Sequence, residues 1–238
     1  MGSNPICPVT YIKELNITTM RIFLDTADTE IINKHFGTGL IDGITTNPTL
    51  IMRSGRNPED VYQELKDIGV RDISMEVVGD STEMIVEGRR LAQKFGECAT
   101  IKVPCSPDGL AACHQLRREL INVNVTLIFD VAQAILAAKA GARYVSPFVG
   151  RLDDNSIEGL DLIQNISDVF DKQRVYGTEI LSASIRYVNS VSQSFANGAD
   201  IVTMPPAVFE KMYNHVLTDK GLEQFDKDWA EVKQNVNV

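Results

Sequence analysis

Several things are scarce in this chain, and each scarcity removes a class of explanation. There is no run of eighteen apolar residues, so no helix is expected to cross a membrane. The first residues, MGSNPICPVT, carry neither a basic leader nor an apolar signal segment, and the expectation is a cytoplasmic protein. The four cysteines Cys7, Cys98, Cys105 and Cys113 lack any Cys-x-x-Cys spacing, and the three histidines His35, His114 and His215 are scattered. Neither a disulfide framework nor a structural zinc site is expected from that pattern. Cys113 and His114 are adjacent, but neighbours on a helix point about 100° apart, so the pair is read as two buried or half-buried side chains and not as metal ligands. Positive charge is also short. Lys and Arg number 23 against 32 Asp and Glu, giving a net charge of −9 and a pI near 4.9. Such a surface repels nucleic-acid backbones and anionic bilayers, so neither is an expected partner, and any anionic ligand must be met by locally placed cations.

The length, 238 residues, suits a single α/β barrel. Short β-branched or apolar runs recur: RIFLD, GITTN, ISMEV, TIKVP, NVTLIF, YVSPFV, TEILSAS and ADIVTMP. Helix signals lie between them. Asn57 before Pro58 and Ser106 before Pro107 each read as an N-cap followed by proline at the first helical position, and Asp80 with Glu83 forms a capping box ahead of the apolar face Met84, Leu91 and Phe95. Eight strands alternating with helices imply parallel pairing through right-handed crossovers and predict a closed (β/α)8 TIM barrel. The glycines of GTGLIDG have the wrong spacing for a dinucleotide fingerprint and precede a strand, so they are read as a turn. Residues 1–19 are expected to be an N-terminal extension, and 20–238 one barrel domain with an extra C-terminal helix. In that helix Leu222, Phe225, Trp229 and Val232 form an apolar stripe, expected to pack on the barrel of its own chain, with an intersubunit role as the alternative.

Strand side chains alternate in direction, so each run divides into two faces. Ile101 and Val103 face one way in TIKVP, and Thr100 and Lys102 the other. The same division sets Asp25, Glu76, Thr126, Ser146 and Phe148 against apolar neighbours. A barrel turns its apolar outer face to its helices and builds sites from inward residues at the C-terminal rim. Asp25, Thr45, Asn47, Glu76, Lys102, Asn124, Thr126, Ser146 and Ser184 therefore converge on one cavity. Taken singly, several have plainer explanations: Asp25 as a helix cap, Asn47 with Pro48 as a turn, Thr126 as a cross-strand hydrogen bond.

Lys102 is harder to explain that way, because a buried unpaired charge costs several kcal/mol. A structural Lys–Asp–Glu network is one account. The other is a nucleophilic amine that attacks a carbonyl to form a Schiff base, with the two carboxylates supplying the proton transfers.

FLDTAD, GITTNPTL, IKVP, NVTLIFDVAQA, YVSPFVGRLDD and SASIR occur in that order, and through them the chain resembles the short-form transaldolases and their relatives the fructose-6-phosphate aldolases over roughly residues 20–235. The resemblance implies that Lys102 forms the Schiff base, that Asp25 is the acid/base at the substrate C4 hydroxyl, and that Glu76 and Thr126 hold the water of imine formation and hydrolysis. It further implies that Thr45, Asn47, Asn124 and Ser146 bind the dihydroxyacetone portion, and that Arg151, Ser184 and Arg186 bind the phosphate. The implied reaction moves a dihydroxyacetone unit from sedoheptulose 7-phosphate to glyceraldehyde 3-phosphate in the pentose phosphate pathway, and the reverse with fructose 6-phosphate and erythrose 4-phosphate, without metal or organic cofactor. Members acting mainly as aldolases carry glutamine and tyrosine where this chain has Glu76 and Phe148, which favours transfer over the alternative, fructose-6-phosphate aldolase activity. A catalytically silent sugar-phosphate-binding barrel is a third reading. Relatives assemble into rings, often decamers, so a homo-oligomer is expected. Asp130 stands where many relatives have serine, which would place a negative charge near the cavity mouth if its loop turned inward.

Overall fold

The structure is a computed structural model that describes residues 20–236. The expected 1–19 extension, with Cys7, lies outside the described residues, as do the last two positions. Among the described residues, eight strands alternate with the helices: β1 Arg21–Asp25, β2 Gly43–Thr45, β3 Ile73–Glu76, β4 Ala99–Pro104, β5 Asn122–Ile128, β6 Tyr144–Pro147, β7 Glu179–Ser182 and β8 Ile201–Met204. Every neighbouring pair is parallel, and β8 pairs with β1, closing the predicted (β/α)8 barrel. The helices are α1 Thr29–Phe36, α2 Pro48–Ser54, α3 Pro58–Ile68, α4 Ser81–Phe95, α5 Pro107–Arg118, α6 Val131–Lys139, α7 Val149–Asp153, α8 Gly159–Gln173, α9 Val188–Ala196, α10 Pro206–Lys211 and α11 Val216–Val236.

The expected caps are in place. Asn57 and Ser106 accept from the backbone N–H groups of Glu59 and Gly109, and Asp80 and Glu83 make the reciprocal capping box. Asp28, and not Asp25, caps α1, which removes the plainer explanation of Asp25. Asp130 caps α6 through the Gln133 N–H and is exposed; its carboxylate is committed to a helix N-terminus and is absent from the cavity wall described below. GTGLIDG forms the turn between α1 and β2.

The outward strand residues, including Leu24, Ile44, Met75, Ile101, Val103 and Val125, are buried against the helices in one continuous core. A second, smaller cluster of Phe23, Tyr144, Leu181, Ala183 and Ile201 fills the barrel itself. At the N-terminal end, the interior polar groups satisfy one another. Asp72 accepts from Tyr144 Oη at 2.6 Å and Thr100 Oγ1 at 2.8 Å, and Arg21 and Arg143 lie over the Tyr144 ring. That end is a closed polar plug.

Two expectations need correction. Cys113 is fully buried, and burial pushes its thiol up to about 12, but His114 on the same helix is exposed; the 100° step that separates them sends one side chain inward and the other to solvent. The C-terminal stripe does not pack on its own barrel: Leu222, Phe225, Trp229 and Val232 of α11 are 57%, 70%, 59% and 43% exposed. An amphipathic pattern records that a face needs covering, not which surface covers it.

Candidate active site

Register brings the inward polar residues together. In adjacent parallel strands, paired residues point to the same side of the sheet, and the pairing aligns Glu76 with Lys102 and Lys102 with Asn124, while Asp25 aligns with Thr45. Five strands thus deliver their chemistry to the C-terminal rim, where barrels carry their sites.

Lys102 is only 5% exposed. Its Nζ donates to the Thr46 carbonyl at 2.9 Å and stands 3.0 Å from Glu76 Oε2. Asp25 Oδ1 accepts from Thr45 Oγ1 at 2.8 Å, and the same hydroxyl meets Thr203 Oγ1 at 2.6 Å. Burial pushes the Asp25 carboxyl above its ordinary value, with the Lys102 charge and the Thr45 hydroxyl pulling it back and Glu76 adding to the rise. Ser146 Oγ donates to Asn124 Oδ1 at 2.7 Å, whose amide nitrogen donates to Ser74 Oγ at 3.2 Å. The Thr126 hydroxyl is buried with no hydrogen-bond partner, so the cross-strand bond that would explain it plainly is absent. An orphaned hydroxyl in an otherwise satisfied interior needs a water or a ligand.

The backbone is bent to make this rim. The β5–β6 register shifts between Val125 and Ile128, just past Thr126, and Leu127 takes a left-handed φ of 60°. Ser184 adopts the same φ. Non-glycine residues held there cost about 1–3 kcal/mol each and gather at functional sites. Gly150 allows α7 to approach the β7–α9 loop: its N–H donates to the Ser184 carbonyl at 3.1 Å, and a Cβ there would lie 2.1 Å from that oxygen.

The rim encloses a cavity of about 410 Å³, lined among others by Asp25, Thr45, Asn47, Lys102, Thr126, Ser146, Phe148, Arg151, Ser184 and Arg186. Ten of the twelve expected site residues therefore share one wall. Glu76 and Asn124 are not on it: Glu76 stands behind Lys102, and Asn124 behind Ser146, each holding its neighbour. Asn47 both caps α2, accepting from the Leu50 N–H at 3.0 Å, and lines the cavity. Arg151 lies 4.9 Å over the Phe148 ring, which meets Phe129 edge-on, and Arg186 pairs with Asp154 at 2.8 Å. The charged residues of the wall are four cations, Arg53, Lys102, Arg151 and Arg186, and one carboxylate, Asp25. In a chain of net charge −9 this is a local reversal of sign suited to an anionic small molecule.

Sequence reasoning missed Thr203, which follows the same alternation as its partners in IVTMP, and Arg53, which is carried by a helix instead of a strand. It also missed the Thr46 carbonyl, since backbone acceptors leave no mark on a sequence.

A buried amine, two carboxylates and a cationic rim on a closed parallel barrel define a (β/α)8 barrel with an enzyme-type site. Residues 22–236 match the family described as Transaldolase/Fructose-6-phosphate aldolase. The chain is 52% identical over 215 residues to a probable transaldolase of Nitrosopumilus maritimus (strain SCM1), covering 90% of this chain and 96% of the relative. It is 51% identical over 218 residues to one of Caulobacter vibrioides (strain NA1000 / CB15N), covering 91% and 100%. The chain belongs to the transaldolase/fructose-6-phosphate aldolase family. A solved structure of an A198G:L230A flavocytochrome b2 with sulfite bound shares the fold alone, at a TM-score of 0.58 and 12% identity over 79% of this chain and 56% of that one.

Proposed function

We propose that this protein is a transaldolase working through a Schiff base at Lys102, moving a dihydroxyacetone unit between sugar phosphates of the pentose phosphate pathway. The observation that carries the reading is the Lys102 amine, held in the cavity wall at 3.0 Å from a carboxylate. Lys102 Nζ attacks the ketose C2 carbonyl, giving up its proton toward Glu76. The carbinolamine loses water to become an iminium, with Glu76 and the unpartnered Thr126 hydroxyl holding that water. Asp25 takes the proton of the C4 hydroxyl, the C3–C4 bond breaks, and the electron pair enters the iminium to give an enamine. The aldose departs, an acceptor aldehyde enters, and the enamine attacks its carbonyl carbon; Asp25 returns its proton to the new C4 alkoxide, and addition of water to the iminium releases the ketose and the Lys102 amine. Thr45, Asn47, Asn124 and Ser146 bind or support the three-carbon unit, and Arg151, Ser184 and Arg186 bind the phosphate, a role suited to guanidinium forks. No residue of this cycle calls for a metal or organic cofactor.

Phe148 and Glu76 support transfer over free aldol cleavage, because a phenyl ring beside the enamine has no proton to give. Borohydride reduction in the presence of fructose 6-phosphate is expected to label Lys102 by mass spectrometry, and absence of label, or label elsewhere, sinks the proposal. Dihydroxyacetone release that does not depend on an acceptor aldehyde would make the protein an aldolase instead.

Residues 20–238 are read as one catalytic unit that forms a homo-oligomer, an assembly supported by the exposed stripe of α11. The free thiols of Cys98, Cys105 and Cys113 suit the reducing cytoplasm. Among the described residues, no helix is long and apolar enough to cross a membrane.

A further inference from the structure

Of the four cations on the cavity wall, three have an evident hold. Lys102 faces Glu76, Arg186 pairs with Asp154, and Arg151 stacks on Phe148. Arg53 has no hydrogen-bond or ion-pair partner among the described residues, although acidic side chains outnumber basic ones along the chain. Its position follows from how α2 is built. Asn47 caps the helix, Pro48 starts it, and Gly55 stops it in the left-handed region, so that Asn47, Leu50 and Arg53, at i, i+3 and i+6, share the face that lines the cavity. Met52, one residue earlier, points to solvent at 72% exposure. Arg53, itself exposed to solvent, lines the cavity from the α2 wall, whereas Arg151 and Arg186 reach it from α7 and the loop after β7.

We infer that Arg53 is a specificity-determining residue: it binds the phosphoryl group of the aldose phosphate from the α2 wall, and so selects phosphorylated acceptors. The inference rests on the proposed sugar-phosphate chemistry and deepens it. An arginine free of internal carboxylates keeps all its N–H donors for a ligand, and a phosphoryl group offers several acceptor oxygens at one end of an otherwise neutral sugar.

The test compares Arg53→Gln with wild type on two acceptors, erythrose 4-phosphate and erythrose. The expected result is a KM about tenfold higher for the phosphorylated acceptor, equivalent to ~1.4 kcal/mol, with kcat changed far less, a much smaller KM change for erythrose, and partial rescue by Arg53→Lys. Equal losses on both acceptors, or none on either, overturn the inference. Titration of the full chain with inorganic phosphate separates this from the reaction itself. Weaker phosphate binding in Arg53→Gln supports Arg53 as an anion residue even if borohydride trapping of wild type fails and the transaldolase reading with it. Equal phosphate affinity in the two proteins, or no phosphate binding by wild type, overturns the inference even where trapping succeeds.

Discussion

Lys102→Met is the perturbation that most directly tests how the site holds its charge. At 3.0 Å and an effective dielectric constant near 20, the Lys102–Glu76 attraction is about 5.5 kcal/mol before desolvation, which takes back several kcal/mol for each ion. The intact pair therefore adds little net stability. Removing one member is different, because the other stays desolvated without its partner, at about 3–5 kcal/mol in a sealed interior. Water reaching the cavity reduces that here to about 2–3 kcal/mol. The same substitution releases Asp25. Lys102 offsets part of the rise that burial imposes on Asp25, so without it the carboxyl moves further up. A carboxyl whose folded pKa exceeds its unfolded value costs stability above the folded pKa, and the cost is relieved as pH falls toward the unfolded value. Lys102→Met is thus expected to lose more stability at pH 8 than at pH 5. Urea unfolding at fixed chain concentration of wild type, Lys102→Met, Glu76→Gln and the double variant should give a coupling of about 2 kcal/mol, so that the double variant is about as stable as either single variant instead of losing the sum. If Lys102→Met matches or exceeds wild type at pH 8 and the two substitutions are additive, charge compensation does not hold this lysine and the reasoning fails.

Three further outcomes follow from the geometry. Thr126→Val deletes an unpartnered buried hydroxyl, so melting should stay level or rise by the equivalent of up to about 1 kcal/mol, while the rate of borohydride-trappable imine formation falls about 10- to 100-fold; a matching loss of stability would show that the hydroxyl had a structural partner. Asp25→Asn should keep trapping at Lys102 but lower transfer about 10²- to 10⁴-fold, and wild-type transfer should decline as pH falls through the raised Asp25 value, a limb the variant lacks; an unchanged pH profile in the variant would assign the base elsewhere. Gly150→Ala forces a Cβ to within 2.1 Å of the Ser184 carbonyl and 2.8 Å of the Arg186 side chain, so it should cost about 1–3 kcal/mol and raise KM for phosphorylated substrates several-fold, and an unaltered KM would detach that loop from phosphate binding.

Strand alternation made most of this legible before any coordinates. Six of the eight strands lie within the runs read as strands, β4 and β5 begin one and two residues earlier at Ala99 and Asn122, and ten of the twelve named residues reached the cavity, because period-two patterning fixes direction at each position. Alternation does not fix depth. Glu76 and Asn124 share a level with Lys102 through register, yet side-chain packing sets them behind the surface their neighbours present. Arg53 escaped for another reason: a seven-residue helix at a barrel mouth can face either cavity or solvent, and only closure of the barrel decides. The stripe on α11 was visible, but a stripe shows how much apolar surface must be covered and does not identify the covering surface.

The barrel interior is polar at both ends, so polarity alone does not locate the chemistry. At the N-terminal end the network is closed: both Asp72 oxygens accept from hydroxyls, and Arg21 is paired with Glu179 as well as lying over the Tyr144 ring. Such a network gains nothing from a ligand, which would have to displace bonds already made. At the C-terminal end the accounts stay open. The Thr126 hydroxyl has no partner, Arg53 has none, and Leu127 and Ser184 hold strained backbone angles. The buried Thr126 hydroxyl and the two strained backbone angles each cost stability that a bound ligand could return, whereas the exposed Arg53 guanidinium costs none and simply keeps its donors available to an anion. An unsatisfied buried hydroxyl, an uncommitted guanidinium and strained backbone gathered at one end of a well-satisfied barrel are what distinguish a binding site from a polar core.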